Sequence, residues 1–319
     1  MIKETRKKGK RSRIGTASLA LAVAVGLSLL APGFSAAAYN NEVTAPASAP
    51  LMTRAVKTEL SVRGISNIKT SAYKAIPIKL GNQAVSVSAL VINGINYVPV
   101  RSIIEKIDGI SVTYNSKTKT LTAAGMGLNL SATDGAYVVY ANDRALFEMS
   151  PARVMSDGRM YIPANTMAKA LGLKVSISGG ELVLSGTPRA LTHASRFYDA
   201  DSVYWLSKII SAESKGEPLL GQIAVGNVVL NRVKSKSYPN TIWGVIFDKK
   251  YGVQFSPVAN GTIYDAPTYT ATLAAKICLE GFSISNEILC FVAPRYAPNS
   301  WISKNCTYEF TIQNHEFYS

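Results

Sequence analysis

The chain of 319 residues is poor in the residue types that build metal centres and disulfide frameworks, with only two histidines and three cysteines. A zinc enzyme needs several His, Cys or acidic ligands, and the two histidines, His193 and His315, stand far apart. Cys278, Cys290 and Cys306 are not spaced as zinc ligands, and so sparse a set permits at most one bridge. We therefore expect no metal or other cofactor, and interpret the cysteines as buried small apolar residues.

Acidic residues are also scarce, at 20 against 34 lysines and arginines, which gives a formal net charge of +14. Seven positive charges and one negative charge lie in the first 38 residues, so the remainder carries +8. Beyond that segment the chain has no basic run, no aromatic–basic alternation and no nucleic-acid recognition motif. We expect no nucleic-acid partner, and the remaining positive charge suits a polyanionic surface such as a bacterial wall.

The N-terminus has the order of an export signal. A basic head reaches Arg13, an apolar run covers 14–30, Pro32-Gly33 follows, and small residues end at Ala38. This order predicts a signal peptide over 1–38, removed after Ala38, so that the chain meets a membrane only during export and is secreted. The alternative is an uncleaved N-terminal anchor, because the run approaches the length of a membrane span. Residues 39–75, rich in Ala, Ser, Thr, Pro and Asn, are predicted to be a linker.

A duplication fills the middle of the chain. Four positions recur with an offset of 64 residues, namely Asn93 and Asp157, Gly94 and Gly158, Tyr97 and Tyr161, and Pro99 and Pro163. Each copy shows a hairpin turn, a strand and a short apolar helix, followed by a strand pair over 111–122 or 174–184. The pattern predicts an α+β domain over 76–186 built from two copies of one unit.

The segments Tyr97-Val98-Pro99-Val100-Arg101 and Tyr161-Ile162-Pro163-Ala164 each precede a helix. In these segments the domain resembles the copper amine oxidase N-terminal-like "stalk" domain of Gram-positive surface proteins. The resemblance implies a spacer or wall-binding module. Despite the family name, no histidine lies within 76–186, so we expect no copper site there.

After a second predicted linker, 187–199, the periodicity becomes helical over 200–319. Asp201 or Ser202 is predicted to cap a first helix, with Gly216 as a left-handed residue just past its end. Pro218 is predicted to start a second helix. The apolar positions of the first helix are Val203, Leu206, Ile209, Ile210 and Ala212.

This pattern places Glu213 in the last turn of the first helix. The carbonyl end of a helix disfavours a carboxylate, and partial burial acts in the same direction, so we expect a raised pKa. A raised carboxyl pKa is what a general acid for glycoside cleavage needs. The nearby Lys208 and Lys215 oppose the shift. By residue type alone, a Glu at a helix end is usually a solvated surface charge.

Ordered motifs in the second domain resemble the SleB-type cell-wall hydrolases, the spore cortex-lytic enzymes and their relatives. The motifs are 211–218 (SAESKGEP), 221–233 (GQIAVGNVVLNRV), 252–258 (GVQFSPV), 260–264 (NGTIY) and 312–318 (IQNHEFY). The resemblance covers about 199–319. It implies a mainly α, lysozyme-like (lytic transglycosylase-like) catalytic domain with a groove, so the whole is a multidomain protein in which this domain follows the duplicated α+β domain.

By this resemblance Glu213 matches the catalytic Glu, and Glu217 stands where the family has a second acid. Gln254, Asn227 and Tyr264 are predicted to bind sugar along the groove, although each has a purely structural role open to it, as has Glu217. Lys215, Cys290 and Gln313 depart from the family pattern, which puts details of the groove in question.

The resemblance implies a peptidoglycan-degrading enzyme that cleaves between N-acetylmuramic acid and N-acetylglucosamine. As a lytic transglycosylase it would use Glu213 alone, first to protonate the leaving oxygen and then to deprotonate the muramic acid O6 hydroxyl. The expected partner is peptidoglycan, in vegetative wall or spore cortex. A regulatory protein partner is left open, as is hydrolysis with a second carboxylate such as Glu217.

Three other functions stay open at this point. A non-catalytic wall-binding protein would keep the fold without turnover. A peptidoglycan amidase would need more metal ligands than the chain offers. An endopeptidase would need a thiolate with a partnered imidazole, and only Cys306 with His315 is available for that role.

Overall fold

The computed structural model describes residues 73–250 and 252–319. The predicted signal peptide and all but the last three residues of the linker 39–75 lie outside the described residues. A sheet-rich region is followed by a helix-rich region, in the order that the sequence predicts. In the described part of the chain, every helix is too short or too polar to span a membrane.

The sheet-rich region contains twelve strands and two short helices in its described part. Its strands are β1 (Lys74–Leu80), β2 (Gln83–Ile92), β3 (Ile95–Pro99), β4 (Ser111–Asn115), β5 (Thr120–Gly125), β6 (Leu128–Thr133), β7 (Val138–Ala141), β8 (Arg144–Phe147), β9 (Arg153–Val154), β10 (Met160–Pro163), β11 (Lys174–Ser178) and β12 (Glu181–Ser185). Helix α1 (Val100–Ile104) follows β3, and α2 (Ala164–Ala170) follows β10. Both copies of the predicted unit therefore form a strand and a helix.

The two copies meet through equivalent strands. Strands β3 and β10 pair antiparallel, with Tyr97 opposite Pro163, Val98 opposite Ile162 and Pro99 opposite Tyr161. Each tyrosine of the repeat thus faces the proline of the other copy, which is the register of a local twofold axis.

The copies differ in where their following strand pairs go. A seven-stranded sheet has the order β11-β12-β1-β2-β3-β10-β9, in which β12 runs parallel to β1. The pair from the first copy instead begins a separate sheet with the order β4-β5-β6-β7-β8. The repeat unit is therefore conserved in its strand and helix but not in the sheet that its last two strands join.

The helix-rich region holds seven α-helices, one 3₁₀ turn and three strands in its described part. They are α3 (Ala194–Phe197), α4 (Ala200–Ser214), α5 (Leu219–Lys234), α6 (Ile242–Ile246), α7 (Ser256–Asn260), the 3₁₀ turn Thr262–Tyr264, α8 (Tyr269–Leu279), β13 (Cys290–Val292), α9 (Trp301–Asn305), β14 (Tyr308–Ile312) and β15 (His315–Tyr318). Helices α4, α5 and α8 pack on one another around one hydrophobic core. The strands form a small sheet with the order β13-β15-β14.

The residue that caps α4 is Asp199, two positions before Asp201, one of the two predicted caps. The carboxylate of Asp199, not of Asp201, accepts a hydrogen bond from the Ser202 amide at 2.7 Å. The prediction for Gly216 was wrong, because it is absent from the residues with positive φ and needs no left-handed conformation. The helix ends at Ser214, so Glu213 does lie in its last turn.

The segment 187–199, predicted as a linker, is packed against the sheet-rich region. The Arg189 amide donates to the Leu171 carbonyl at 2.9 Å, and the Asn142 side chain donates to the Leu191 carbonyl at 2.7 Å. His193 caps α3, and its Nε2 lies 2.9 Å from the Asp143 carboxylate. The composition of the segment 187–199 does not indicate these contacts, because Arg189 and Leu191 make them through backbone groups that every residue type carries.

The two regions share a buried junction. Tyr137, Val138, Ala145 and Phe147 belong to the hydrophobic core of the helical region, although they come from around β7 and β8. At the edge of that core, the Arg144 guanidinium pairs with both Glu280 carboxylate oxygens at 2.7 and 2.8 Å. A buried charge needs such a partner, so this ion pair joins the two regions in a fixed position.

Candidate active site

Glu213 lies at the corner between α4 and α5, where the chain turns through Gly216 and Pro218. Its neighbours on α4 are held in place. The Ser211 hydroxyl accepts a hydrogen bond from the Thr268 amide at 3.1 Å, and the Ser214 hydroxyl donates to the Ile210 carbonyl at 2.6 Å. The first bond ties the end of α4 to the start of α8. Glu213 is therefore presented from a rigid helix end rather than from a free loop.

Burial raises the pKa of Glu213 from the usual value for Glu to about 7, and the positive charge of Arg232 opposes this rise. The side chain keeps partial exposure, so substrate can reach it although most of its surroundings are protein. Among the described residues none donates a hydrogen bond to its carboxylate. A carboxyl group titrating near neutral pH can both give and take a proton there.

Arg232 is the buried cation of this site, at 6% exposure. Its Nε donates to the Leu289 carbonyl at 2.7 Å, and its guanidinium carbon lies 5.1 Å from the centre of the Phe255 ring. Nη1 has no hydrogen-bond partner among the described residues. An orphan donor on a buried guanidinium is costly, and both N–H groups of Nη1 are without a partner among the described residues, so they could meet a bound group.

Sequence reasoning missed Arg232. It named Lys208 and Lys215 as the cations that oppose a raised pKa, but the Lys208 ammonium donates to the Tyr264 and Asp265 carbonyls at 2.7 and 2.9 Å. A signal was present in the sequence. Arg232 follows a long run of apolar and small positions on α5, so a charge there must be buried and partnered.

Gln254 and Tyr264 each lie in a segment that contacts one of the two helices of this corner. Gln254 precedes Phe255, whose ring stacks on Arg232, and its side chain donates to the Gly252 carbonyl at 3.1 Å. Tyr264 is 63% exposed and its carbonyl is held by Lys208 of α4. Gly261, at a φ of +83°, makes the bend before the 3₁₀ turn that presents the tyrosine. Both side chains are available for ligand contact.

Glu217 lies on the other side of the corner and is buried at 8% exposure. Its carboxylate accepts hydrogen bonds from the Asn314 side chain at 2.9 Å and from the Asn314 amide at 3.2 Å. Gly221 permits this arrangement, because a Cβ there would lie 3.0 Å from the Glu217 Cβ. Glu217 therefore ties the start of α5 to the turn between β14 and β15, which is a structural role.

Asn227 is 2% exposed and lies about 140° around the α5 axis from Arg232. Its side chain donates to the Phe282 carbonyl at 3.1 Å and accepts from the Ile284 amide at 2.8 Å. The structure thus brings Glu213, Arg232 and the segment with Gln254 near one another, whereas Lys208, which holds Tyr264, lies about 140° around the α4 axis from Glu213. It assigns Asn227 to the loop after α8 instead.

The thiol and imidazole considered for a peptidase are not paired. Burial, and after it the neighbouring Cys290 thiol, raise the pKa of the Cys306 thiol. His315 packs its ring 5.3 Å from that of Phe291; burial lowers the pKa of His315, which Glu217 partly offsets. A nucleophilic cysteine needs a depressed pKa beside its base, and this arrangement gives neither.

A cavity lies at the junction of the two regions, between residues 146–148, 165–169 and 280–282. It is next to Glu280, which Tyr198 reaches just before α4 begins, with an OH to Oε1 distance of 2.7 Å. Glu213 lies at the opposite end of this 15-residue helix, roughly 20 Å away. The cavity is therefore separate from the candidate active site.

Comparison with known families follows the same division of the chain. Residues 79–185 match the Copper amine oxidase N-terminal domain, and residues 216–318 match the Cell Wall Hydrolase family. The second match begins after Glu213, so that residue lies outside it.

Relatives named spore cortex-lytic enzyme align with the same C-terminal part. The protein of Bacillus cereus is 38% identical over 111 residues, covering 35% of this chain and 42% of that relative. The protein of Bacillus subtilis strain 168 is 35% identical over 105 residues, covering 33% of each. This chain thus spans less than half the length of these relatives.

Solved structures give a further likeness in sequence. The catalytic domain of the germination-specific lytic transglycosylase SleB from Bacillus anthracis is 36% identical, covers 38% of this chain and 97% of its own, and has a TM-score of 0.35. The Bacillus cereus SleB catalytic domain is also 36% identical, with a TM-score of 0.34. The chain thus matches a copper amine oxidase N-terminal domain over 79–185 and the cell wall hydrolase family over 216–318.

Proposed function

We propose that this chain degrades peptidoglycan by cleaving the glycan strand between N-acetylmuramic acid and N-acetylglucosamine, with Glu213 as the one acid and base. The observation that carries the proposal is the carboxyl group of Glu213. It is partly exposed at a helix corner, its pKa is raised by burial to about 7, and the charge of the buried Arg232 opposes that rise. The cell wall hydrolase match of the same domain supports the substrate class.

Glu213 suits both steps of a lytic transglycosylase. When protonated, it gives its proton to the glycosidic oxygen as the bond to the anomeric carbon breaks. The resulting carboxylate is stabilised by Arg232, and then takes the proton of the muramic acid O6 hydroxyl as that oxygen closes a 1,6-anhydro ring. A pKa near neutrality makes both transfers accessible at the same pH.

The environment of Glu217 supports a mechanism with one carboxylate. An inverting or retaining hydrolase needs a second carboxylate facing the scissile bond. Glu217, the nearest acid in sequence, is buried and accepts two hydrogen bonds from Asn314. It is therefore committed to the fold. Gln254 and Tyr264 are proposed to bind sugar, through amide hydrogen bonds and the aromatic face respectively.

The proposed setting is outside the cytosol, at the vegetative wall or the spore cortex. The basic, apolar and small-residue order of 1–38 supports export, and relatives are named spore cortex-lytic enzymes. We propose the sheet-rich domain as a spacer or wall-binding module. A regulatory protein partner remains part of this proposal without a contact surface assigned to it.

The test is mass spectrometry of fragments released from purified vegetative peptidoglycan and from spore cortex. Wild type is compared with Glu213→Gln and with the matched control Glu217→Gln, each checked for folding by circular dichroism. We expect anhydromuramic ends from wild type and from Glu217→Gln, and none from Glu213→Gln.

Three outcomes would overturn parts of the proposal. Reducing ends from wild type would mean hydrolysis and a second carboxylate. Equal release by wild type and Glu213→Gln would remove Glu213 from the chemistry. Wall binding with no release by any folded variant would favour a non-catalytic wall-binding protein.

A further inference from the structure

Two of the three cysteines are neighbours, although they stand 16 positions apart in the sequence. Cys290 begins β13, and Cys306 is the residue that ends α9. The Cys290 thiol lies near enough to Cys306 to raise the pKa of the Cys306 thiol, and both are free thiols of intermediate exposure. Cys278 is different, since it is buried at 3% exposure and its thiol donates to the Ile223 carbonyl at 3.4 Å.

The packing of two elements places the pair independently of that effect. Helix α9, which Cys306 ends, packs against β13, which Cys290 begins. Both also lie close enough to Tyr238 to act on its hydroxyl electrostatically.

We propose that Cys290 and Cys306 form an intramolecular disulfide in the exported protein, with Cys278 left as the free thiol. Disulfides persist in the oxidising compartments outside the cytosol, which the export signal predicted over 1–38 would reach. The inference does not depend on the glycan chemistry proposed for Glu213. It assigns a covalent modification to two residues that the reaction does not use.

The oxidant is a disulfide, either a small-molecule disulfide or the active-site disulfide of an extracytoplasmic thiol oxidoreductase. One cysteine loses its proton and attacks a sulfur of the oxidant, which gives a mixed disulfide and releases one thiolate. The second cysteine, also deprotonated, displaces the remaining half of the oxidant. The two cysteines lose two electrons and two protons in total, and the oxidant leaves as two thiols.

The bond would close a loop over 291–305 beside the candidate active site. Nη2 of Arg232 donates to the Cys290 sulfur at 3.9 Å, so one end of the bond would rest against the guanidinium that faces Glu213. The closed segment carries Tyr296, at 82% exposure, and Trp301, at 40%. Restricting a loop of this length lowers the entropy of the unfolded chain.

The experiment uses the full chain, purified reduced and then incubated with oxidised glutathione. Alkylation of free thiols under denaturing conditions and peptide mass spectrometry locate the bond. We expect one Cys290–Cys306 cross-link, one alkylated thiol at Cys278, and a melting midpoint raised by roughly 5 to 10 °C over the reduced protein. Cys278→Ser should behave like wild type, while Cys290→Ser and Cys306→Ser should show no cross-link and no shift.

Three alkylated thiols after oxidation would overturn the proposal, as would a cross-link that includes Cys278 or joins two chains. A cross-link without any rise in the melting midpoint would also count against it, because the loop would then not be restrained. Each single serine variant removes one sulfur only, so loss of folding in one variant leaves the others and the wild type as tests.

Discussion

At the scale of single residues, Glu213 and Arg232 form an opposed pair. Burial favours the neutral carboxyl group, whereas the guanidinium favours the carboxylate, and the balance leaves the pKa at about 7. Arg232 cannot lose its proton in this range, so its field on Glu213 is constant. The proton affinity of Glu213 is thus set by burial, which raises its pKa, and by one guanidinium on the neighbouring helix, which lowers it.

The first prediction concerns the pH dependence of activity. Since the acid step needs protonated Glu213, kcat/KM on purified peptidoglycan should fall as pH rises through about 7. Arg232→Met removes the charge that lowers this pKa, so its descending limb should move to higher pH. The measurement is the rate of turbidity loss of walls between pH 5 and 9.

Arg232→Lys is the control for the charge, because it keeps a cation at that position while losing the planar contacts. The pH at which its kcat/KM falls should stay closer to the wild-type value than it does in Arg232→Met. An unchanged limb in both folded variants would mean that Arg232 does not act on Glu213.

The second prediction concerns stability. The pKa of Glu213 is raised in the folded protein, so the unfolded state releases its proton first and stability is lost as pH rises from about 4.5 to 7. The loss is at most about 3 kcal/mol. Glu213→Gln has no such proton, so its free energy of unfolding should rise relative to that of wild type across this window. Above the window the difference between the two proteins should be constant. Urea denaturation of both proteins at several pH values measures the difference, and a constant gap would contradict the prediction.

The sequence predicted that the pKa of Glu213 is raised, but not which charge opposes the rise. The helix-end position and partial burial were sufficient for the direction, since both follow from local periodicity. The opposing charge comes from Arg232 on a different helix, and sequence neighbours such as Lys215 were considered instead. The sugar-binding roles of Gln254 and Tyr264 stay predictions, whereas the buried contacts of Asn227 depend on a loop 55 residues away.

At the scale of elements, α5 is packed between α4 and α8 with very little space. A Cβ on Gly226 would meet the Cys278 sulfur at 2.7 Å and the Ile210 Cδ1 at 2.9 Å. The third prediction is that Gly226→Ala destabilises the protein by about 1 to 3 kcal/mol, although alanine favours a helix by about 1 kcal/mol over glycine. Thermal or urea unfolding measures the change.

The matched variant is Gly226→Ala combined with Cys278→Ala, which removes the sulfur that the new methyl group would meet. The double variant should lose less stability than the sum of the two single changes. Simple additivity would indicate that the helices move apart rather than clash.

The fourth prediction concerns the tie between α5 and the last hairpin. Glu217→Gln exchanges one carboxylate acceptor of the Asn314 bonds for an amide, and should cost about 1 to 3 kcal/mol of stability. The fall of its kcat/KM near pH 7 should occur at the same pH as in wild type. A shifted limb at normal stability would instead make Glu217 part of the proton chemistry.

Elements with local signals were predicted well. Asn93 and Gly94 have φ values of +49° and +79°, as the turn between β2 and β3 requires, and α5 follows Pro218. The left-handed cap at Gly216 was wrong because a helix end has several alternatives to that motif. The different sheets of the two repeat copies could not be predicted, since strand partners far apart in sequence leave no periodic signal.

At the scale of the whole molecule, Glu280 holds the two regions together. Burial alone would raise the pKa of its carboxyl group, but hydrogen bonds from Arg144, Tyr198 and Lys169 outweigh burial and lower it. Removing one partner of a buried ion pair leaves the other charge uncompensated. The junction therefore depends on this one acidic residue.

The fifth prediction is that Glu280→Gln destabilises the junction by about 3 to 5 kcal/mol, so that calorimetry shows the sheet-rich and helix-rich regions unfolding in separate steps. Lys169→Met is the control, because the Lys169 side chain is 41% exposed and exposed ion pairs contribute about 1 kcal/mol or less. A single unchanged transition in Glu280→Gln would mean that apolar contacts such as Phe147 with Phe282 suffice.

The symmetric pairing of β3 with β10 has a consequence for assembly. Tyr97 lies opposite Pro163 and Pro99 opposite Tyr161. The strand edge that one copy presents to the other is therefore the edge that it would present to an identical copy in a second chain. A single copy would expose that edge to any other chain carrying the same motif. In this molecule the second copy occupies the edge from within, so the duplication acts as a built-in dimer that protects the sheet from exchange between chains.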